Sequence, residues 1–318
     1  MITAAVAGAA VGGAAALQRA DARWARTPNP CAPEEALLPP GERRTVVTDD
    51  GARLAATVAG EGPTVVLSHC WTGSREVWSP VAHRLLRRGH RVVLYDQRGH
   101  GSSTVGDDGF AIPRLGADLK AVLEATEARD AVVAGHSMGG MAVQSLLAHH
   151  RPVVRERVGG AVLVATAASG LSQGARDHRL RRMVASRAVE RLLSRRLGHA
   201  AVRGTVGRTV CREHLTTTRD LFLACPPETR EGWLSAMQRM DLRAGLRDLE
   251  VPAAITVGTR DVLTPVSRAR DLARLLPHAR LEVHDGLGHM LPIEAPDEVA
   301  GLILEIAPRP VAPGAHAS

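Results

Sequence analysis

Ser137 lies in Gly135-His136-Ser137-Met138-Gly139, a G-x-S-x-G run that follows an apolar stretch at 131–134 and opens a helical pattern. A serine hydroxyl is a weak nucleophile on its own. The chemistry this run suggests is attack on a carbonyl carbon once a neighbouring imidazole takes the hydroxyl proton. The bare pattern is common, but a strand before it and a helix after it make it specific, because the glycines then permit a turn that lifts the serine above the sheet edge. Of the 14 histidines, His289 is favoured as the base: it sits in Gly286-Leu287-Gly288-His289-Met290, a Gly-rich loop just after the expected strand 281–284. His284 lies inside that run, and His278 precedes it on a surface turn. The imidazole in turn needs a carboxylate to fix its tautomer and stabilise its charged form. Asp261, directly after the run 253–257, is the expected acid. No carboxylate follows the run 161–165 before Asp177, and the rival Asp285 is too near His289 in the same loop to orient it. Ser137, His289 and Asp261 together would transfer an acyl group to water.

For three such side chains to meet, each must leave the same edge of one sheet. Short apolar runs at 64–68, 91–95, 131–134 and 161–165 have the length and composition of buried parallel strands, and 253–257 and 281–284 resume the alternation toward the end. Helical patterns at 78–88, 112–128, 138–149, 266–276 and 296–306 separate or follow them. Two more short runs, 45–48 and 54–59, flank the turn Asp49-Asp50-Gly51. Repeated βα units predict an α/β fold, a doubly wound and mostly parallel sheet covered on both faces. From about 170 to 240 the rhythm stops, and the segment reads as an inserted helical cap. The expected organisation is an apolar arm and proline-rich linker over 1–41, a core of 42–169 and 241–307, the cap at 170–240 and a tail at 308–318.

The chain order Ser137, Asp261, His289 resembles the α/β-hydrolase superfamily over roughly residues 42–307. Asp96-Gln97-Arg98-Gly99-His100-Gly101-Ser102 and Gly288-His289-Met290-Leu291-Pro292-Ile293-Glu294-Ala295-Pro296 are similar to further segments of that family. The resemblance implies a nucleophile elbow at Ser137 and a serine esterase or lipase-like hydrolase working through an acyl-enzyme, independent of metal and organic cofactor. It also implies an oxyanion hole made by the backbone N–H groups of Met138 and Trp71. The second donor lies in His69-Cys70-Trp71-Thr72-Gly73, where the family usually reads H-G-x-x-G, so His69, Cys70 and Gly73 are expected to support that loop. Cys70 would be strained if its position required a positive φ. The expectation is that it does not, and that the thiol packs beneath the site. Trp71, Met138, Leu263 and Met290 are expected to line an apolar substrate pocket, which favours an ester with an acyl or alkyl chain. A serine nucleophile excludes relatives that use aspartate there, the haloalkane dehalogenases and epoxide hydrolases. Relatives with the same triad also act as cofactor-free perhydrolases or haloperoxidases, and others are non-catalytic ligand-binding homologues; both alternatives stay open.

Composition narrows the partners. Aromatic residues are only 2% of the 318, which argues against stacking platforms for single-stranded nucleic acid, and no nucleic-acid partner is expected. The formal charge of +7 is local: nine arginines between Arg176 and Arg203 face only Asp177 and Glu190. That segment is open to three readings, namely a solvated helix face, docking on anionic lipid, or attraction of an anionic substrate. Residues 2–18 are uncharged and repeat small residues at Ala4, Gly8 and Gly12. The run lacks the basic start of a secretory signal and is weaker than a spanning helix of about 20 apolar residues. It reads as a soluble arm or a weak membrane helix. Cys31, Cys70, Cys211 and Cys225 are scattered, so no disulfide and a reducing compartment are expected. The chain is accordingly expected to be cytoplasmic, with weak membrane association left open. There is no H-E-x-x-H, and Cys211 with His214 is too sparse for a zinc site.

Overall fold

Alternate side chains of the central strands feed two different apolar layers. Val66, Val93, Val133 and Leu163 point into one, whereas Val65, Val92, Val132 and Val162 point into the other. All eight are fully buried, as strands covered on both faces must be. The computed structural model describes residues 33–170, 174, 177–194, 197–208, 211–247 and 251–307. Its strands are β1 (Glu42–Val47), β2 (Arg53–Ala59), β3 (Thr64–Ser68), β4 (Arg91–Tyr95), β5 (Ala131–His136), β6 (Val158–Val164), β7 (Ala253–Gly258) and β8 (Arg280–His284). They form one sheet in the order β1-β2-β4-β3-β5-β6-β7-β8. Pairing is parallel from β4 through β8, while β2 runs antiparallel to both β1 and β4. The fold is therefore the α/β, doubly wound, mostly parallel sheet that the alternation predicts.

Helices α1 (Ser79–Arg87), α2 (Ile112–Ala125), α3 (Met138–His149) and α4 (Arg151–Arg157) connect the first six strands. The stretch between β6 and β7 carries α5 (Asp177–Val184), α6 (Arg187–Leu193), α7 (Leu197–Val202), α8 (Arg212–Ala224) and α9 (Pro227–Arg239). After β7 come α10 (Val266–Leu275), α11 (Leu291–Glu294) and α12 (Pro296–Ile306). Leu119, Val143 and Leu272 of α2, α3 and α10 cover one face of the sheet. Val81, Leu85, Leu302 and Ile303 of α1 and α12 cover the other. Helix α4 went unforeseen because its sequence RPVVRER is charged and offers a single buried residue, Val154. Strand β6 starts earlier than expected, at Val158, and β5 runs on through His136, directly into Ser137.

The helical insertion is closed at its base by a β-bridge between Ser169 and Asp241 and a Leu242 N–H bond to Ala168 O at 2.8 Å. Its last helix is moored to the loop after β4: the Trp233 indole donates to Arg98 O at 3.1 Å and the Thr229 hydroxyl to Gly99 O at 3.0 Å. Below it, Ile112, Leu115, Met138, Met141, Trp233 and Met237 pack as one buried cluster. In the arginine-rich segment, Arg179, Arg182, Arg187 and Arg191 are exposed, whereas Arg181 donates to Gln238 at 3.1 Å. Arg176, Arg195 and Arg196 lie outside the described residues, as do the arm at 2–18 and the tail at 308–318. Among the described residues no helix is long and apolar enough to cross a membrane. The cysteine expectation needs correction: Cys70 and Cys225 are free thiols, but Cys211 is disulfide-bonded. Scattered single cysteines carry no local pairing signal, and cysteine usage no longer argues for a reducing compartment.

Candidate active site

Every residue singled out for chemistry leaves the carboxyl end of a strand. Ser137 follows β5, Asp261 follows β7, His289 follows β8, and the segment His69–Gly73 follows β3, which is the edge where open α/β sheets bind ligands. The turn at Ser137 is tight. Its φ of 54° and ψ of −112° lie in a region that costs a non-glycine residue of order 1–3 kcal/mol. The surroundings hold it there: Ser137 N–H donates to Val164 O at 2.9 Å, and Ser137 O accepts from the Thr166 hydroxyl at 2.7 Å. A Cβ at Gly135 would collide with the Gly139 carbonyl, and one at Gly139 with the Ser68 carbonyl. The two glycines of the motif are thus demanded by close backbone approach.

His289 Nδ1 lies 2.8 Å from Asp261 Oδ2, with both side chains buried. The carboxylate can only accept, so Nδ1 carries the hydrogen and Nε2 keeps the lone pair that a general base needs. Asp261 is itself fixed: its Oδ1 accepts the backbone N–H groups of Leu263 and Thr264, each at 2.8 Å. The Thr264 hydroxyl stands 2.8 Å from Asp261 Oδ2 and 2.7 Å from Ala165 O, and 3.3 Å from His289 Nδ1. His136, the residue before Ser137, reaches the histidine loop directly. Its Nε2 lies 2.8 Å from His289 O, so Nε2 donates, and the two imidazole centroids are 4.9 Å apart.

Two features that sequence reasoning missed fasten this loop. The Glu294 carboxylate accepts three backbone N–H groups, from Gly207 at 2.5 Å, Gly288 at 3.0 Å and Met290 at 2.8 Å. His289 N–H donates to Thr205 O at 2.8 Å, so the middle of the helical insertion, between α7 and α8, is stitched to the histidine loop. Glu294 stands in the quoted G-H-M-L-P-I-E-A-P segment, yet only tertiary contact gives it a task. Thr264 carried a weaker signal, a hydroxyl three residues after the acid.

In the segment after β3, Gly73 N–H donates to Cys70 O at 3.0 Å and Thr72 N–H to His100 Nε2 at 3.1 Å. Both bonds leave the Trp71 N–H outside them. Met138 opens α3, in the first turn, where helix N–H groups lack intrahelical acceptors and the dipole is positive. His69 Nε2 accepts Gln97 N–H at 2.9 Å and its Nδ1 donates to Cys70 O at 2.7 Å. Burial lowers the His69 pKa to about 4 and that of His100 to about 3, so both rings are neutral at pH 7. The positive φ of this segment falls on Thr72, at 60°, and Cys70 is not among the positive-φ residues. The Cys70 side chain is buried with Val77, Val206, Met290 and Ile293, and burial raises its thiol pKa to about 12. Of the expected pocket residues, Trp71 and Leu263 are half-buried, while Met138 and Met290 are almost wholly enclosed in apolar clusters. Among the described residues no cluster of side chains could hold a metal ion.

A sequence model of the alpha/beta hydrolase family matches residues 65–302. A non-heme haloperoxidase of Rhodococcus erythropolis is 26% identical over 254 residues, 77% of this chain and 92% of that protein. A pimeloyl-[acyl-carrier protein] methyl ester esterase of Chromobacterium violaceum is 31% identical over 227 residues, 70% of this chain and 85% of that protein. Among solved structures, an esterase from Exiguobacterium antarcticum superposes with a TM-score of 0.74 at 19% identity, over 83% of this chain and 98% of its own. Matched over most of its length by the family model and by a 31% identical relative, the chain belongs to the alpha/beta hydrolase family.

Proposed function

We propose that this protein is a serine esterase that cleaves small-molecule carboxylic esters, with Ser137, His289 and Asp261 as its catalytic triad. The observation that carries the reading is the buried Asp261–His289 hydrogen bond at the sheet edge where Ser137 is held in a strained turn. In the proposed reaction Ser137 Oγ attacks the ester carbonyl while His289 Nε2 takes its proton. The oxyanion is met by the N–H groups of Met138 and Trp71. Collapse expels the alcohol, which receives the proton from His289, and leaves an acyl-serine. Water, deprotonated by His289, then attacks that ester and releases the acid. The insertion at 170–240 acts as the cap over Ser137, with Trp71 and Leu263 on the substrate side. The esterase name of the 31% identical relative supports the same chemistry.

The haloperoxidase name of another relative favours a second reading of the same triad, in which hydrogen peroxide replaces water and the product is a peracid. Hydrolysis of p-nitrophenyl esters from acetate to octanoate tests the first reading. Ser137→Ala should abolish turnover, and Asp261→Asn should lower kcat by about 10⁴. Turnover unchanged in Ser137→Ala would end both readings. Bromination of monochlorodimedone with peroxide, bromide and acetate, exceeding ester hydrolysis in rate, would favour the second.

A further inference from the structure

Among the described residues two guanidinium groups are fully buried, and they are treated very differently. Arg98 has an acceptor at every nitrogen: Nε and Nη2 to Asp118, Nη1 and Nη2 to Asp50, and Nη1 to Gly109 O as well. That is how a structural arginine is satisfied. Arg230, on α9, is equally buried, but among the described residues only its Nη2 has a hydrogen-bond partner, Glu190 of α6. Its Nε and Nη1 are enclosed and have no acceptor. Glu190 is 30% exposed, so part of its charge is spent on solvent while the guanidinium has none to turn to.

The place matters as much as the deficit. The Arg230 guanidinium lies over the Phe222 ring at 4.8 Å, and Phe222 meets Trp71 edge-on at 6.4 Å. The Trp71 indole N–H donates to Arg230 O at 3.1 Å. The idle donors are therefore two ring contacts from the segment assigned to the oxyanion. An arginine cannot shed its charge, and its planar donors match a carboxylate better than any neutral acceptor. We infer that Arg230 is an anion-recognition residue of the substrate cleft, and that the preferred ester carries a carboxylate or similar compact oxyanion besides its scissile bond. This rests on the reading of Ser137 as nucleophile. Exposed Arg187 and Arg191, on the helix that carries Glu190, add positive potential along the approach.

The test compares three esters by acid release: ethyl valerate, monoethyl glutarate with its carboxylate on the acyl side, and valeryloxyacetate with it on the alcohol side. Wild type should prefer one anionic ester over ethyl valerate by about tenfold or more in kcat/KM, and the preferred one locates the carboxylate. Arg230→Met should cut that ratio by about 10- to 100-fold, with Arg230→Lys between. A wild-type ratio near one, or equal losses on neutral and anionic esters in Arg230→Met, would overturn the inference. Glutarate should also inhibit wild-type hydrolysis of ethyl valerate more strongly than uncharged glutaramide at fixed ionic strength. Equal inhibition overturns it whether or not the Arg230 variants fold. In Ser137→Ala, monoethyl glutarate should raise Tm and ethyl valerate should not. Failure there removes the anion subsite, whereas turnover surviving in Ser137→Ala removes only the reading of Ser137.

Discussion

Cys70 and Thr72 make opposite demands on the backbone two residues apart. Cys70 sits where the family usually has glycine, yet it is absent from the positive-φ residues and its thiol fills a buried cluster. Thr72 is β-branched and held at φ 60°, with its N–H bonded to His100. A glycine at 70 therefore loses packing and gains freedom in the unfolded chain, and should cost about 1–2 kcal/mol. A glycine at 72 relieves the left-handed conformation and should stabilise by about 1 kcal/mol, net of the entropy it adds. Urea denaturation of Cys70→Gly and Thr72→Gly measures both, and a gain in stability at 70 would contradict this account. The sequence made the departure at 70 visible but could not show where the turn keeps its strain, because φ follows from how the segment hydrogen-bonds to the loop after β4. By contrast, Ser137, Asp261 and His289 were legible as site candidates, since each follows a strand pattern that ends at one sheet edge.

At the scale of elements, the helical insertion meets the histidine loop through backbone bonds, His289 N–H to Thr205 O and Arg208 N–H to Gly286 O, and through one carboxylate. Glu294 opens no helix and, among the described residues, pairs with no cation; it gathers N–H groups from Gly207, Gly288 and Met290. Burial raises its pKa, and the three N–H bonds and, less strongly, the charge of His289 oppose that. Glu294→Gln keeps one oxygen but turns an NH₂ toward backbone donors. It should cost about 2–3 kcal/mol through an unsatisfied buried group. The loss should be local: hydrogen exchange should quicken at 203–208 and 286–290, while β3 to β6 keep their protection. Uniform loss of protection would instead make Glu294 a global brace. Strands and most core helices were readable from period and composition because burial on the sheet imposes both. The contacts of Glu294 were not, because the insertion meets that loop across residues some eighty positions apart in sequence, and no local pattern records it.

For the molecule as a whole, the segment after β3, the loop after β4 and the serine turn are joined through histidines that must stay neutral. His69 and His100 each accept a backbone N–H on Nε2, from Gln97 and Thr72. Burial lowers their pKa values to about 4 and about 3, and holds His136 well below its ordinary value. In the unfolded chain these rings take up protons near pH 6.5, which the folded protein refuses until much lower pH. Their contribution to stability is thus fully present above pH 6.5 and declines as pH falls toward about 4, at about 1.4 kcal/mol per pH unit for each of His69 and His100. Asp50, held low by the Arg98 guanidinium, acts in a different window: its contribution is present above pH 3.8 and is lost only below that. A steep fall of Tm between pH 6 and 4.5 is therefore the signature of the histidines and not of the carboxylates. His100→Gln can keep one donor and one acceptor without titrating, so it should flatten the slope in that window by about 1.4 kcal/mol per pH unit. Should the slope survive His100→Gln unchanged, the bond from Thr72 to His100 is not what couples the segment after β3 to pH.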